Sequence, residues 1–164
     1  MLIEWKEINA QDYETLNSWL SVQDKHNLCM TIKGWEQTAL DIADCLKYMH
    51  NAQFKNIMGF VNGKPVVALM FGIEQIEVLN LYNIVVNPAC RNHGVAKAVI
   101  LQLLKNNKSL EIVKPYKKMV VSTLPDNVSM HNLLKNLGFA NMGFNGEYVV
   151  FEKSAFKTDE RTPV

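Results

Sequence analysis

Residues 78–104 constrain the fold of this chain more than any other stretch. The run Val-Leu-Asn-Leu-Tyr-Asn-Ile-Val-Val at 78–86 is typical of a strand, and Asn87-Pro88 ends it. The segment 94–104, dense in Val, Ala, Ile and Leu, indicates a mostly buried helix, and 118–124 reads as the next strand. Because parallel strands joined by a helix have one favoured hand, this unit predicts a right-handed parallel crossover.

The rest of the chain predicts an antiparallel start and end around that unit. Runs rich in β-branched and aromatic residues predict further strands at 2–8, 54–61, 65–73 and 147–153, with hairpin turns at Asn62-Gly63 and Asn145-Gly146. Helical spacing of apolar residues predicts further helices after Asn9, at 35–49 and at 130–137. The predicted order is β-α-α-β-β-β-α-β-α-β-β, an α/β chain of the α+β type with a mixed sheet, in one domain over 1–153 with a polar tail at 154–164.

Charge and cysteine content exclude several classes of protein. The 164 residues carry 17 Lys and Arg against 16 Asp and Glu, so the net charge of +1 gives no general attraction to nucleic acid or to an anionic membrane. No apolar run reaches the ~18 residues that span a membrane, and the early charge at Glu4 argues against a secretory signal. Three cysteines without a paired spacing predict reduced thiols, a cytoplasmic location and no metal site.

The turn between the central strand and its helix favours an anion. It reads Arg91-Asn92-His93-Gly94-Val95-Ala96 and opens the buried helix. Main-chain N–H groups in the first turn of a helix have no partner inside the helix and lie at the positive end of its dipole, so they suit phosphate. Gly94 lets the main chain approach the anion, and Arg91 adds a charged donor. From these residues alone, an ordinary loop-to-helix turn stays the alternative.

A second stretch, from Asn127 to the Leu-Gly-Phe that ends at Phe139, follows the strand at 118–124. Together the two stretches resemble the GNAT family of N-acetyltransferases. The first resembles the family's cofactor motif, Val-x-Pro followed by Arg/Gln-x-x-Gly-x-Gly/Ala, and the second resembles its Asn before the next helix and the Leu-Gly-Phe after it. The resemblance extends over the element order of residues 2–153 and implies the GNAT-like acyl-CoA N-acyltransferase fold.

This resemblance implies that acetyl-CoA is the cosubstrate. Its pantetheine arm is expected to pair with the main chain of the strand that ends at Val86, like an added strand, and its pyrophosphate to lie on the amides that follow. Asn127 is expected to contact the pantetheine, with the helix after it near the thiol. The expected cofactor-binding residues are Ile84, Val85, Val86, Arg91, Asn92, His93, Gly94, Val95, Ala96, Lys97, Asn127, Met130 and Leu134.

The expected catalytic acid and base are both replaced in this sequence. Many family members have a Tyr seven residues after the motif Asn, where this chain has Leu134, and some have a Glu where it has Leu81. Leucine cannot move a proton, so the candidates for proton transfer or for orienting a water are Glu77, Tyr82, Asn83 and His131. Strand alternation predicts that Glu77, Leu79, Leu81 and Asn83 share a face. The resemblance implies a bulge near Val85, which would change the alternation after it.

The sequence therefore predicts an acetyltransferase that moves an acetyl group from acetyl-CoA directly to the primary amine of a small-molecule or peptide acceptor, without a metal. Cys90 lies in the predicted phosphate turn and is not expected to be a nucleophile. In the resembling family, the segment equivalent to 23–33 forms part of the acceptor pocket, and homodimers are common. The missing acid and base leave an alternative open, a non-catalytic acyl-CoA-binding or partner-binding module, and a plain interaction domain is the third hypothesis.

Overall fold

The computed structural model describes residues 2–21, 54–72, 77–105 and 116–155. The predicted helix at 35–49, the segment 23–33 and the tail from 156 onward lie outside the described residues.

The described residues form seven strands, three α-helices and a short 3-10 helix. The strands are β1 (Glu4–Glu7), β2 (Phe54–Val61), β3 (Lys64–Gly72), β4 (Val78–Val86), β5 (Lys118–Thr123), β6 (Ala140–Phe144) and β7 (Val149–Ser154). The helices are α1 (Ala10–Trp19), the 3-10 helix (Pro88–Cys90), α2 (Val95–Leu104) and α3 (Val128–Asn136). β2 and β4 have the bounds predicted for them, and the other elements with predicted bounds differ by one or two residues at an end. The sequence predicts a helix after Asn9 and a strand before the last hairpin without giving their bounds, and it does not predict the 3-10 helix.

All seven strands belong to one sheet, in the order β1-β2-β3-β4-β5-β7-β6. β4 and β5 run parallel and are joined through α2, and every other neighbouring pair in this sheet is antiparallel. The mixed sheet is therefore confirmed, and so is the strand-helix-strand unit at its centre.

Helices cover the two faces of the sheet and give each its own core. On one face, Val99 of α2 and Leu134 of α3 pack with strand residues that include Leu81. On the other face, Leu16 of α1 packs with strand residues that include Val85. Because successive side chains of a strand point to opposite faces, β4 supplies residues to both cores.

A bulge in β4 changes which side chains face which core. Met70 of β3 lies opposite Asn83 and Phe71 lies opposite Leu81, so the register places no residue of β3 opposite Tyr82. Leu81 and Ile84 therefore pack with the same core, whereas unbroken alternation would place them on opposite faces. The bulge expected near Val85 lies instead at Tyr82, earlier in the strand.

Side chains from β3 and from the start of the chain pack closely against Gly59 of β2. A Cβ atom added there would lie 2.6 Å from Cγ2 of Ile3 and 2.9 Å from Cγ1 of Val67. Because extra volume in a packed core costs about 1–3 kcal/mol, we expect Gly59→Ala to lower the free energy of unfolding by that amount, measured by urea denaturation. Gly63→Asn is the control, since Gly63 has φ +75° with no atom near a built Cβ and Asn tolerates that conformation. A Gly59→Ala protein as stable as this control would contradict the packing.

Candidate active site

The central strands β4 and β5 separate partway along their length. Their parallel pairing begins at Val78 and Lys118 and ends at Leu81 and Val121. On its other side β4 stays paired with β3 as far as Val67 and Val86. The edge of β4 that faces β5 is therefore without a strand partner over 82–86 in the described sheet, which leaves an opening where an extended ligand can form main-chain hydrogen bonds.

This opening widens into a cleft of about 520 Å³ that reaches the start of α2. Four parts of the chain line it: the separated ends of β4 and β5, the turn into α2, the first turns of α3, and the hairpin before β7. The lining residues are Leu81, Tyr82, Ile84, Val85, Val86, Cys90, Arg91, Asn92, Gly94, Val95, Ala96, Lys97, Val121, Ser122, Thr123, Leu124, Asn127, Ser129, Met130, Leu133 and Tyr148.

The N-terminus of α2 opens into this cleft without a side-chain cap. Gly94 is the N-cap residue, in the left-handed conformation at φ +74°, and it provides no side-chain hydrogen bond. The first helical bond runs from Ala98 N to Gly94 O at 3.0 Å, so the preceding N–H groups have no acceptor within the helix. In contrast, the N-cap side chains of α1 and α3 each accept a main-chain N–H. The start of α2 thus offers its amides and the positive end of its dipole to an anion.

Two polar side chains fix the turn that leads into α2. Asn87 donates from Nδ2 to Pro65 O at 3.0 Å and accepts from Ala89 N at 3.0 Å, which ties the turn to the start of β3. Arg91 donates from Nε to Val86 O at 3.2 Å and from Nη2 to Trp19 O at 3.4 Å. The guanidinium therefore joins the end of β4 to the end of α1 while it also lines the cleft.

The residues predicted to act at the site from α3 and its N-cap do not all line the cleft. Asn127 caps the helix by accepting from Met130 N at 3.4 Å, and both residues line the cleft. Leu134 is fully buried in the core and does not line the cleft. His131 Nε2 lies 3.0 Å from Leu124 O, and its ring centroid is 5.4 Å from that of Phe151, so its ring packs against the sheet and is not among the lining residues.

The structure brings most of the predicted cofactor-binding residues together at one cleft. All of them line it except His93, which is exposed in the turn, and the buried Leu134. Among the predicted catalytic residues, Tyr82 lines the cleft. The side chain of Asn83 lies outside the described part of the structure.

Glu77 lies in a turn before β4 and not on the strand face that alternation predicted. It has φ +65°, its carboxylate is 3.1 Å from Lys117 Nζ, and its carbonyl accepts from Lys117 N at 2.7 Å. It is exposed and does not line the cleft. Glu77 therefore joins the starts of β4 and β5, which is a structural role.

Tyr148 lines the cleft and was not predicted from the sequence. It precedes β7 and is half-buried, although the hairpin residues before it are exposed. Asn145 Oδ1 accepts from Glu147 N at 3.0 Å and from Tyr148 N at 2.8 Å, and Asn145 N donates to Tyr148 O at 3.0 Å. Burial, followed by the charge of Glu147 and a hydrogen bond with it, raises the pKa of Tyr148 to about 12. The phenol therefore keeps its proton at neutral pH.

Two further observations concern the described residues alone. None of their His, Cys, Asp and Glu side chains form a group of three or more that could hold a metal ion. None of their helices combines the length and the apolar character needed to cross a membrane.

Comparison with known proteins identifies the family. The model of the acetyltransferase (GNAT) family matches residues 12–139. The chain therefore belongs to the GNAT family of acetyltransferases. No curated protein sequence matches the chain.

Solved acetyltransferase structures have the same fold at low sequence identity. PaiA N-acetyltransferase from Thermoplasma acidophilum, solved with coenzyme A, is 16% identical, with a TM-score of 0.62 over 94% of this chain and 99% of that chain. AAC(6')-Ib, solved with ribostamycin and coenzyme A, is 13% identical, with a TM-score of 0.70 over 98% and 99%. The ribosomal-protein-S18-alanine N-acetyltransferase from Escherichia coli is 13% identical, with a TM-score of 0.60 over 99% and 100%.

The buried position of Leu134 predicts the result of restoring the tyrosine that many family members have there. Because the side chain is fully buried in a packed core, we expect Leu134→Tyr to destabilise the protein by about 1–3 kcal/mol, measured by urea denaturation. Val128→Tyr is the matched control, since Val128 is 60% exposed on the same helix, and we expect a change of no more than ~0.5 kcal/mol. A Leu134→Tyr protein as stable as this control would contradict the tight packing around Leu134.

Proposed function

We propose that this protein binds acetyl-CoA in the cleft between β4, α2 and α3 and transfers the acetyl group to a primary amine. The observation that carries the proposal is the continuity of the cleft, which joins a helix N-terminus without a side-chain cap to an edge of β4 that none of the described strands covers. The first suits the pyrophosphate of CoA and the second suits the two amides of its pantetheine arm. The membership of the chain in the GNAT family and the presence of coenzyme A in two structures of the same fold support this assignment.

Each wall of the cleft has a part in this proposal. The amides of Val95, Ala96 and Lys97 receive the pyrophosphate, and the positive side chains of Arg91 and Lys97 add charge at the same end. The main chain of β4 between Tyr82 and Val86 pairs with the pantetheine. The thioester then lies where β4 and β5 separate, near Leu81 and Val121.

The acceptor in this proposal is an amine of a small molecule or a peptide, and it attacks the thioester directly. A thiolate with an unperturbed pKa near ~8.5 is a tolerable leaving group, so holding the amine and the thioester together supplies much of the rate. Cys90 lines the cleft at the end of the 3-10 helix, beside the proposed pyrophosphate site and away from the thioester. A covalent acyl-cysteine is therefore not part of the proposal.

A second candidate function is a non-catalytic acyl-CoA-binding module. It is favoured by the positions of Leu134, which is fully buried, and of Glu77, which lies outside the cleft. The two functions require the same cofactor site and differ in turnover, so binding and turnover need separate measurements.

Binding is tested by titrating acetyl-CoA into the protein in a calorimeter. We expect micromolar affinity for the wild type and at least a 30-fold loss in Gly94→Trp, because the indole would occupy the space before the amides of α2. Gly63→Trp is the matched control: Gly63 has φ +75° where Gly94 has φ +74°, neither has an atom within 4 Å of a built Cβ, and Gly63 does not line the cleft. A folded wild type without measurable binding would overturn both candidate functions.

Turnover is tested by following thiol release from acetyl-CoA with a panel of amines that includes n-butylamine, spermidine, amino acids, an aminoglycoside and a peptide with a free N-terminus. We expect amine-dependent release by the wild type and none above background by Gly94→Trp. Binding of acetyl-CoA without release for any amine would favour the acyl-CoA-binding module instead.

A further inference from the structure

Apolar side chains form the last paired step between β4 and β5. Leu81 and Val121 are the final partners in that pairing, and both pack in the core that α2 and α3 cover. In the proposed function the thioester lies beside them. Neither side chain donates or accepts a proton, and Leu134 of α3 is buried away from the cleft. A group that moves a proton at the thioester therefore has to come from a neighbouring position.

Ser122 is the first residue of β5 beyond this last pair. It lines the cleft, and in the parallel register it follows Val121 as Tyr82 follows Leu81. Its side chain is half-buried, and among the described residues none forms a hydrogen bond with its hydroxyl. The hydroxyl therefore lies at the point of strand separation with its donor and its acceptor capacity both unused.

Alternation along β5 turns Ser122 away from α2 and α3. Met119 and Val121 pack in the core that these helices cover, and Thr123 is buried in the same alternation. The residues between them are half-buried, so Ser122 faces the side of the sheet on which Tyr82 packs. In the proposed function this is the face opposite the two helices that form the cofactor site.

The fold holds the main chain of Ser122 in place. On the side away from β4, Ser122 is paired with Val150 of β7. The next hydroxyl along the strand is already committed, because Thr123 Oγ1 donates to Val149 O at 3.2 Å. A hydroxyl on a paired strand is positioned before the substrates arrive, which lowers the cost of reaching the reactive geometry.

A hydroxyl matches the proton requirement of acyl transfer to an amine. The attacking nitrogen has to lose one proton, and the departing sulfur has to gain one. Because a serine hydroxyl donates and accepts at the same time, one residue between the two atoms meets both needs. It gives up its own proton as it receives another, so it acts without becoming charged and without a shifted pKa.

We propose that Ser122 is a catalytic residue that relays a proton from the attacking amine to the departing sulfur. This inference rests on the proposed function. The nitrogen lone pair forms the C–N bond while the carbonyl π pair moves to oxygen. The N–H proton then passes to Oγ of Ser122 as the Oγ–H proton passes to sulfur. The oxyanion reforms the carbonyl, and the C–S bond breaks with its electron pair on sulfur. The products are the amide and the CoA thiol, and the serine is unchanged.

The test compares Ser122→Ala with Ser122→Thr, using the amine of the panel that reacts fastest. We expect kcat for thiol release to fall about 100-fold in Ser122→Ala, within the range for proton-transfer groups. Ser122→Thr keeps a hydroxyl on a residue that favours strands, so its kcat should stay within about tenfold of the wild type. The Kd for acetyl-CoA should change by less than about twofold in both variants, because the serine acts after binding.

Ser154→Ala is the matched control, since Ser154 is an exposed serine of β7 that does not line the cleft, and its kcat should equal that of the wild type. Urea denaturation of all three variants checks that they are folded.

Two results would overturn the relay while amine-dependent release by the wild type upholds the proposed function. One is a Ser122→Ala protein with wild-type kcat, and the other is a Ser122→Thr protein as slow as Ser122→Ala. A loss that appears as weaker binding of acetyl-CoA with kcat retained would overturn the relay as well. A wild type that binds acetyl-CoA and releases no thiol would overturn the relay together with the transferase, and it would leave the CoA site standing.

Discussion

The divergence of two parallel strands is the constraint on which the rest of this structure depends. β4 keeps its pairing with β3 to its last residue but leaves β5 after Leu81, so one strand edge is satisfied and the other is open. The bulge at Tyr82 lies at the point of divergence, and bulges bend and twist the strand that contains them. A strand edge that no neighbouring strand occupies can pair with the amides of an extended ligand, which is the role that the proposed function gives it.

The two ends of the cleft differ in charge and in how they are held. At the α2 end, uncapped amides lie beside Arg91 and Lys97. At the hairpin end, the cleft is lined by Tyr148, and burial together with the charge of Glu147 raises the pKa of its phenol. In the proposed function, the positive end receives the anionic pyrophosphate. Arg91 also donates to Trp19 O at the end of α1, so one side chain holds the turn that lines the cleft together with α1.

Sequence reasoning succeeded where the determining forces are local. The bounds of β2 and β4 follow from strand-forming runs that end at turn residues such as Asn62-Gly63 and Asn87-Pro88. The start of α2 was predictable as a helix N-terminus with free N–H groups, because helix termini leave the same groups without a partner in every protein. The resemblance to the family implies a CoA site at those groups, and most of the residues that it implies line one cleft.

The parts that the sequence did not predict depend on contacts between distant residues. A bulge adds one residue to a strand without changing its composition, so the position of Tyr82 could be read only from its register with β3. Tyr148 lies beside β5 because β7 inserts between β5 and β6, and nothing local to Tyr148 records that order. The one local signal was the Asn145-Gly146 turn, which fixes where the strand after it begins.

The burial of Leu134 separates the part of α3 that packs the core from the part that lines the cleft. A leucine that fills the core under α3 contributes to stability in proportion to the apolar area it removes from water, so that position is committed to packing and is closed to proton transfer. Tyr148, in contrast, lines the cleft from the hairpin before β7, where it is half-buried and hydrogen-bonded to Asn145. Residues that connect strands tolerate substitution better than core positions do, so this wall of the cleft can vary at little cost to the core.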